Sequence, residues 1–223
     1  MIRRSLQETE AFAARMVHPT FAQIYETLAA NWALVLGGVA MVVMTTVSFY
    51  LITVYTPTFG RRVLRLSESD ALLVTMAIAA SNFVWLPVSG ALSDRIGRKP
   101  ILIACTVLAL LTAYPALAWL VREPSFGRML SVELWLSLIY AWYNGAMVVA
   151  LTEVVPATVR TAGFSLAYSL ATTLGGSSLA ISTWLIERTG DKAAPGYWMS
   201  FAAVCGLVAT LALYRGGTET SQE

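Results

Sequence analysis

Six stretches of roughly 19 to 25 residues contain no charged side chain, and this feature constrains the fold more than any other. They cover approximately residues 33–56, 71–92, 101–121, 134–152, 162–186 and 196–214. A helix needs about 20 residues to cross the hydrocarbon core of a bilayer. Backbone groups in lipid must be hydrogen-bonded within their own segment, which favours helices. The sequence therefore predicts an all-α integral membrane protein with six transmembrane helices.

The composition agrees with this class and argues against several others. Hydrophobic residues make up 57% of the chain and charged residues 13%, whereas soluble domains carry about 25% charged residues. A net charge of +2 without a run of lysine or arginine predicts no nucleic-acid partner. His18 is the single histidine, and Cys105 and Cys205 lie in apolar spans, so we predict no metal site, no cofactor and no disulfide. An intramembrane enzyme would need a Ser/His pair, a pair of carboxylates or a His/Glu metal site in the spans. The predicted spans contain none of these, so we predict that the chain is not an enzyme.

An even number of spans places both termini on the same side of the membrane. The lysine and arginine count of the connectors is nearly equal on the two sides, so the positive-inside rule does not decide which side this is. Residues 1–31 are predicted to form a linker containing a short interfacial amphipathic helix, because apolar residues recur there at helical spacing. These residues are Phe21, Ile24, Tyr25 and Leu28. Residues 32–215 are predicted to form the membrane bundle and 216–223 a polar tail.

The connector between the second and third spans reads GALSDRIGRKP over residues 90–100. Gly90 and Gly97 are expected to permit close helix approach and a tight turn. Asp94 can accept hydrogen bonds from backbone N–H groups or from an arginine fork. Three cations lie where lipid headgroups are expected, namely Arg95, Arg98 and Lys99. An anchoring loop would explain the cations, but it would not explain the ordered Gly-x-x-x-Asp-Arg-x-Gly-Arg-Lys spacing.

A second ordered connector follows two spans later and reads EVVPATVRTAG, with Glu153, Pro156, Arg160 and Gly163 at fixed spacing. The two connectors together resemble the loop signatures of the major facilitator superfamily, which lie between helices eight and nine and between helices ten and eleven. This resemblance implies that both loops, and therefore both termini, are cytoplasmic. It also implies that the chain corresponds to helices seven to twelve, the C-terminal half of a twelve-helix transporter.

Longer segments narrow the resemblance to the metabolite:proton symporters, and within them to the citrate–proton and tricarballylate symporters. These segments include SNFVWLPVSGALSDRIGRKP, YNGAMVVALTEVVPATVRTAGFSLAYSLAT and DKAAPGYWMSFAAVCG. The resemblance implies an inner-membrane carrier of a small carboxylate and protons that works by alternating access with an N-terminal half. It further implies that the loop at 90–100 gates the cytoplasmic face, with Asp94 and Arg98 exchanging partners. One departure is Leu179, which stands where the family usually has a proline in helix eleven.

Small residues recur at every fourth position of the fifth span. Gly163, Ala167, Ala171 and Gly175 form a groove that permits close helix packing. Two interpretations remain open at this point. The groove packs within this bundle, or it receives a helix of the N-terminal half.

Polar residues inside the spans are candidates for a substrate cavity, because such groups are unfavourable in lipid and tend to face the bundle interior. The candidates are Tyr50, Asn82, Tyr140, Tyr143 and Asn144. For each one, an interhelical hydrogen bond is the main alternative. The predicted spans contain no buried cation and no buried carboxylate, so we expect that the chain alone does not carry a polyanion. The alternative to a half-transporter is a self-contained six-helix protein that acts as a homo-oligomeric carrier or channel in membrane lipid.

Overall fold

A computed structural model describes residue 26 and residues 29–155 and 160–214. Most of the predicted amphipathic helix, Pro156 and the tail at 216–223 lie outside the described residues. The predicted domain limits therefore remain predictions. Within the described ranges the chain forms helices and no strand.

Seven helices follow one another along the described chain. They are α1 (Trp32–Val63), α2 (Glu68–Ile96), α3 (Arg98–Arg122), α4 (Phe126–Val154), α5 (Arg160–Gly176), α6 (Ser178–Thr189) and α7 (Pro195–Leu213). By length and composition, α1 to α4 and α7 are each able to cross a membrane. The fifth predicted span is present as α5 followed directly by α6. The prediction of an all-α membrane fold with six apolar spans is thus confirmed, with one span interrupted.

The helix boundaries follow from capping residues. Ser67 accepts a hydrogen bond from the Asp70 N–H at 3.0 Å and starts α2. Ser125 accepts one from the Arg128 N–H at 3.3 Å and starts α4. At the other end of α2, Gly97 alone separates this helix from α3. These caps set the helix ends several residues outside the charge-free stretches.

Two π-helical turns interrupt the second half of α1, at Tyr50–Tyr55 and at Phe59–Val63. Pro57 lies between them and lacks the N–H that a regular helix would use. The Thr56 hydroxyl donates to the Ile52 carbonyl at 2.6 Å and so satisfies one backbone group in this irregular region. Single π-helical turns are frequently found at functional sites.

The break between α5 and α6 lies at Ser177, within the sequence GGSS. Glycine and serine are weaker helix formers than alanine or leucine, and the Ser177 hydroxyl donates to the Leu174 carbonyl at 2.7 Å. The following residue, Ser178, accepts a hydrogen bond from the Trp198 indole N–H of α7 at 2.9 Å. Leu179 is partly exposed directly after the break. The helix is therefore discontinuous even though leucine replaces the expected proline.

The helices α1 and α4 form the centre of the bundle. Helix α1 packs against α4, α5 and α7, while α4 packs against α1, α2 and α3. Helix α7 also packs along α3. Large, fully buried side chains fill the centre, among them Met41, Met44, Tyr143, Met147 and Met199. This arrangement leaves α2, α5 and α6 at the periphery with apolar faces exposed.

Candidate functional site

A cluster of three charged residues joins the two signature loops at the end of the bundle where α2, α3 and α4 meet. The Arg98 guanidinium contacts an Asp94 carboxylate oxygen at 2.6 Å through Nη1 and a Glu153 carboxylate oxygen at 3.2 Å through Nη2. The side chain of Arg98 is 16% exposed, whereas those of Asp94 and Glu153 are 63% and 52% exposed. The central cation is thus largely enclosed and its two anionic partners remain accessible.

The single residue Gly97 sets the geometry of this cluster. Its φ is +98° and its ψ is 154°, a conformation that is essentially restricted to glycine. The Gly97 N–H donates to the Ser93 carbonyl at 3.0 Å and closes α2. Because α3 begins at the next residue, Arg98 is placed one turn from Asp94 and faces the end of α4. The predicted tight turn at Gly97 is observed.

Helices α2 and α4 approach each other closely where Gly145 of α4 faces the backbone of α2 at Gly90. A Cβ atom added to Gly90 would meet nothing within 4 Å in the described structure. A Cβ atom at Gly145 would instead lie 3.0 Å from the Gly90 backbone nitrogen and would collide with the Ser89 hydroxyl. The predicted close approach thus involves the backbone at Gly90, while Gly145 is the residue that has no space for a side chain. The face of α2 at Gly90 is open.

The other basic residues of the two loops do not join the cluster. Arg95 is exposed and Lys99 is half-buried, and neither forms a salt bridge within the described ranges. Arg160, at the start of α5, donates through Nε to the Val155 carbonyl at 3.4 Å and tethers the loop that follows α4. Pro156 lies outside the described residues. Gly163, the last residue of the second motif, is buried on α5.

Three of the five cavity candidates lie in one region of α1 and α4. Tyr140 is buried, with 7% of its surface exposed, and its ring lies beside that of Phe49 with 6.1 Å between the ring centroids. Asn144 is one turn further along the same face of α4, and its side-chain oxygen is buried without a hydrogen-bond partner in the described structure. Tyr50 is half-buried next to Gly176 of α5. The unpaired amide oxygen of Asn144 is able to accept a hydrogen bond from a hydroxyl or a protonated carboxyl group.

The remaining two cavity candidates form interhelical hydrogen bonds inside this bundle. The Asn82 side-chain oxygen accepts a hydrogen bond from the Ser137 hydroxyl at 2.9 Å, which joins α2 to α4. Tyr143 is fully buried, and its hydroxyl donates to the Met41 carbonyl of α1 at 3.0 Å. These contacts match the alternative interpretation, in which both residues form interhelical hydrogen bonds and do not line a substrate cavity. A substrate role for them stays a prediction without geometric support.

The small-residue groove of α5 is filled by α1. Gly163, Ala167, Ala171 and Gly175 are the buried residues of α5. The Thr46 hydroxyl of α1 donates to the Ala171 carbonyl at 3.0 Å. A Cβ atom at Gly175 would lie 2.6 Å from the Thr46 Cβ. The groove therefore packs within this bundle, as the first interpretation holds, and the opposite face of α5 carries the exposed leucines.

A buried carboxyl group contradicts the expectation that the membrane bundle contains none. Glu133 lies inside α4 and is only 4% exposed. The fourth predicted span begins at residue 134, because that prediction assigns every charged residue to a connector or a tail. Helix α4 instead begins at Phe126, after the N-cap Ser125, and Glu133 lies about two turns into the helix. Phe126, Met129 and Leu130 recur at helical spacing upstream of residue 134, and this is the sequence signal that would have placed Glu133 inside the helix.

Comparison with known proteins assigns the chain to a transporter family. The profile of the family described as "Sugar (and other) transporter" matches residues 2–223. The chain belongs to this family. No solved structure is significantly similar to it. Since the family and its relatives are transporters, the chain is assigned to a transporter family and not to an enzyme family.

Two of the relatives support the resemblance to the citrate–proton symporters. The chain is 64% identical over 216 residues to a citrate-proton symporter of Klebsiella pneumoniae, covering 96% of this chain and 49% of the relative. It is 55% identical over 215 residues to a citrate-proton symporter of Salmonella typhi, covering 96% of this chain and 50% of the relative. A proline/betaine transporter of Salmonella typhimurium is 27% identical over 183 residues, or 82% of this chain and 36% of the relative. The resemblance predicted from the two loops is confirmed. The chain spans about half the length of the first two relatives.

Proposed function

We propose that the chain is the C-terminal half of a proton-coupled symporter for citrate or a related di- or tricarboxylate, active together with an N-terminal half. The identities to two citrate-proton symporters, half of whose length the chain spans, support this assignment. In this proposal the membrane is the inner membrane and both termini are cytoplasmic. Substrate would cross by alternating access between the two halves.

The observation that carries the proposal is the bridge that Arg98 makes between Asp94 and Glu153. One guanidinium holds the end of α2, the start of α3 and the end of α4 together. Two exposed carboxylates around one enclosed cation form an arrangement that is able to exchange partners, because either carboxylate can leave while the other still pairs the cation. Such an exchange would let α2 move relative to α4 during gating.

The distribution of charge supports the need for a second half. Every lysine and arginine in the described ranges lies in a connector or within about one turn of a helix end. A polyanionic carboxylate at the middle of the membrane needs cations or many donors to replace its hydration. Glu133 adds a further acidic group and no positive charge. The missing cations would come from the N-terminal half, which would face the exposed apolar surface of α2 and α5.

The test uses a chimera of this chain with the first half of the Klebsiella pneumoniae relative, reconstituted in proteoliposomes. Asp94→Asn removes one of the two charges that pair Arg98, and we expect citrate uptake driven by a pH gradient to fall at least tenfold. Asp70→Asn, at the opposite end of the same helix, is the matched control and should transport like the parent chimera. Uptake that is unchanged in Asp94→Asn at equal protein content would contradict the gating role.

A further inference from the structure

Glu133 lines a small, mostly apolar cavity between α1, α3, α4 and α7. The cavity measures about 20 Å³ and its lining includes Tyr55 and Phe59 of α1, Leu117 of α3 and Met199 of α7. A cavity needs roughly 10–15 Å³ to hold one water molecule. The cavity therefore has room for a single water beside the Glu133 carboxyl group, but not for a carboxylate substrate.

Among the residues that the structure describes, the carboxyl group has no charge partner in this cavity. Tyr55 of α1 is the only other titratable residue in that part of the lining, the described lining residues from α3 and α7 carry no ionisable group, and none comes from α2. The Glu133 Oε2 atom is buried without a hydrogen-bond partner among the described residues. The positive end of the α4 dipole acts mainly within the first turn, and Glu133 lies beyond that turn. An ionised carboxylate would thus be unpaired and desolvated here, which is strongly unfavourable.

We propose that Glu133 is a proton-binding site, neutral in the conformation described, that takes one proton from water and returns it to water when the cavity opens. This inference rests on the proposed proton-coupled function and deepens it. The wall that would open is the irregular part of α1, because Tyr55 and Phe59 belong to its two π-helical turns. A change in these turns would admit water to the carboxyl group, and the ionised form would then be solvated.

The first test is infrared spectroscopy of this chain in lipid nanodiscs at neutral pH. We expect a carbonyl band of a protonated carboxylic acid that is absent in Glu133→Gln. The matched control is Glu187→Gln, which removes an exposed carboxylate at the end of α6 and should leave the band unchanged. Absence of the band in the unmodified chain, or its persistence in Glu133→Gln, would overturn the proposal without reference to any variant's transport.

The second test separates proton coupling from substrate binding in the chimera described above. Glu133→Gln mimics the protonated group, so we expect it to exchange labelled for unlabelled citrate at the parent rate. Accumulation driven by a pH gradient should fall at least tenfold. Gradient-driven accumulation at the parent level in Glu133→Gln would overturn the coupling role. If the parent chimera itself moved no citrate, the proposed function would fail, and the infrared band alone would decide whether Glu133 binds a proton.

Discussion

Replacing Gly175 with alanine tests the close packing of α5 on α1. The added Cβ would lie 2.6 Å from the Thr46 Cβ and 2.9 Å from the Thr46 carbonyl carbon. Both obstructing atoms belong to or adjoin the backbone of α1, so no flexible side-chain end can move aside. The two helices would have to separate, and the hydrogen bond from the Thr46 hydroxyl to the Ala171 carbonyl would lengthen.

The magnitude follows from two opposing contributions. Overpacking of a well-packed core costs up to about 3 kcal/mol, whereas replacing glycine by alanine in a helix gains about 1 kcal/mol. We expect Gly175→Ala to lower the free energy of unfolding by about 2 kcal/mol. The adjacent Gly176 provides a matched control, because its added Cβ would lie 3.8 Å from the Tyr50 ring, which is an ordinary contact. Gly176→Ala should therefore be neutral or stabilising by up to about 1 kcal/mol.

The assay is thermal unfolding in detergent, followed with a dye that fluoresces on reaction with a thiol. Cys105 is 4% exposed and reacts only when the bundle opens. A difference of about 2–3 kcal/mol between the two variants corresponds to a difference in Tm of roughly 4–12 °C for a chain of this size. Equal Tm values for the two variants, or a higher Tm for Gly175→Ala, would refute the packing of the groove against α1.

Two further predictions concern the gating loop and the cavity face. Gly97→Ala forces a non-glycine residue to φ +98°, which costs about 1–3 kcal/mol. The Tm of this variant should fall, and the infrared signature of the Arg98 guanidinium should change. An unaltered Tm would contradict the assigned turn. Asn144→Ala removes the buried amide oxygen. If this oxygen contacts substrate, the chimera that carries the substitution should show a severalfold higher KM for citrate at unchanged kcat. A change in folding yield alone would show that the residue has a structural role only.

The sequence was sufficient to predict the helices because their membrane spans are long and free of charge. It was less informative about helix ends, which depend on caps such as Ser125 that tolerate charged residues inside the helix. The error at Glu133 has this origin. A charge count treats each carboxyl group as solvated, and only the packing of α1, α3 and α7 around this residue removes it from water.

Pairings between distant residues also required the structure. Each loop motif is visible in the sequence, but the contact of Arg98 with Glu153 joins residues 55 positions apart. The small-residue groove is similarly evident from its spacing, while its occupant is not. Thr46 of α1 complements the groove only because the two helices lie against each other, and no periodicity in α1 identifies that face.

We propose that this chain supplies the gate and a proton site but needs the cations of a second half to carry substrate. The most direct measurement is radiolabelled citrate uptake into proteoliposomes under an imposed pH gradient, with this chain alone and with the chimera. We predict gradient-driven uptake by the chimera and none by the chain alone. Uptake by the chain alone would contradict the account and would favour a homo-oligomeric carrier that binds its substrate through uncharged polar groups.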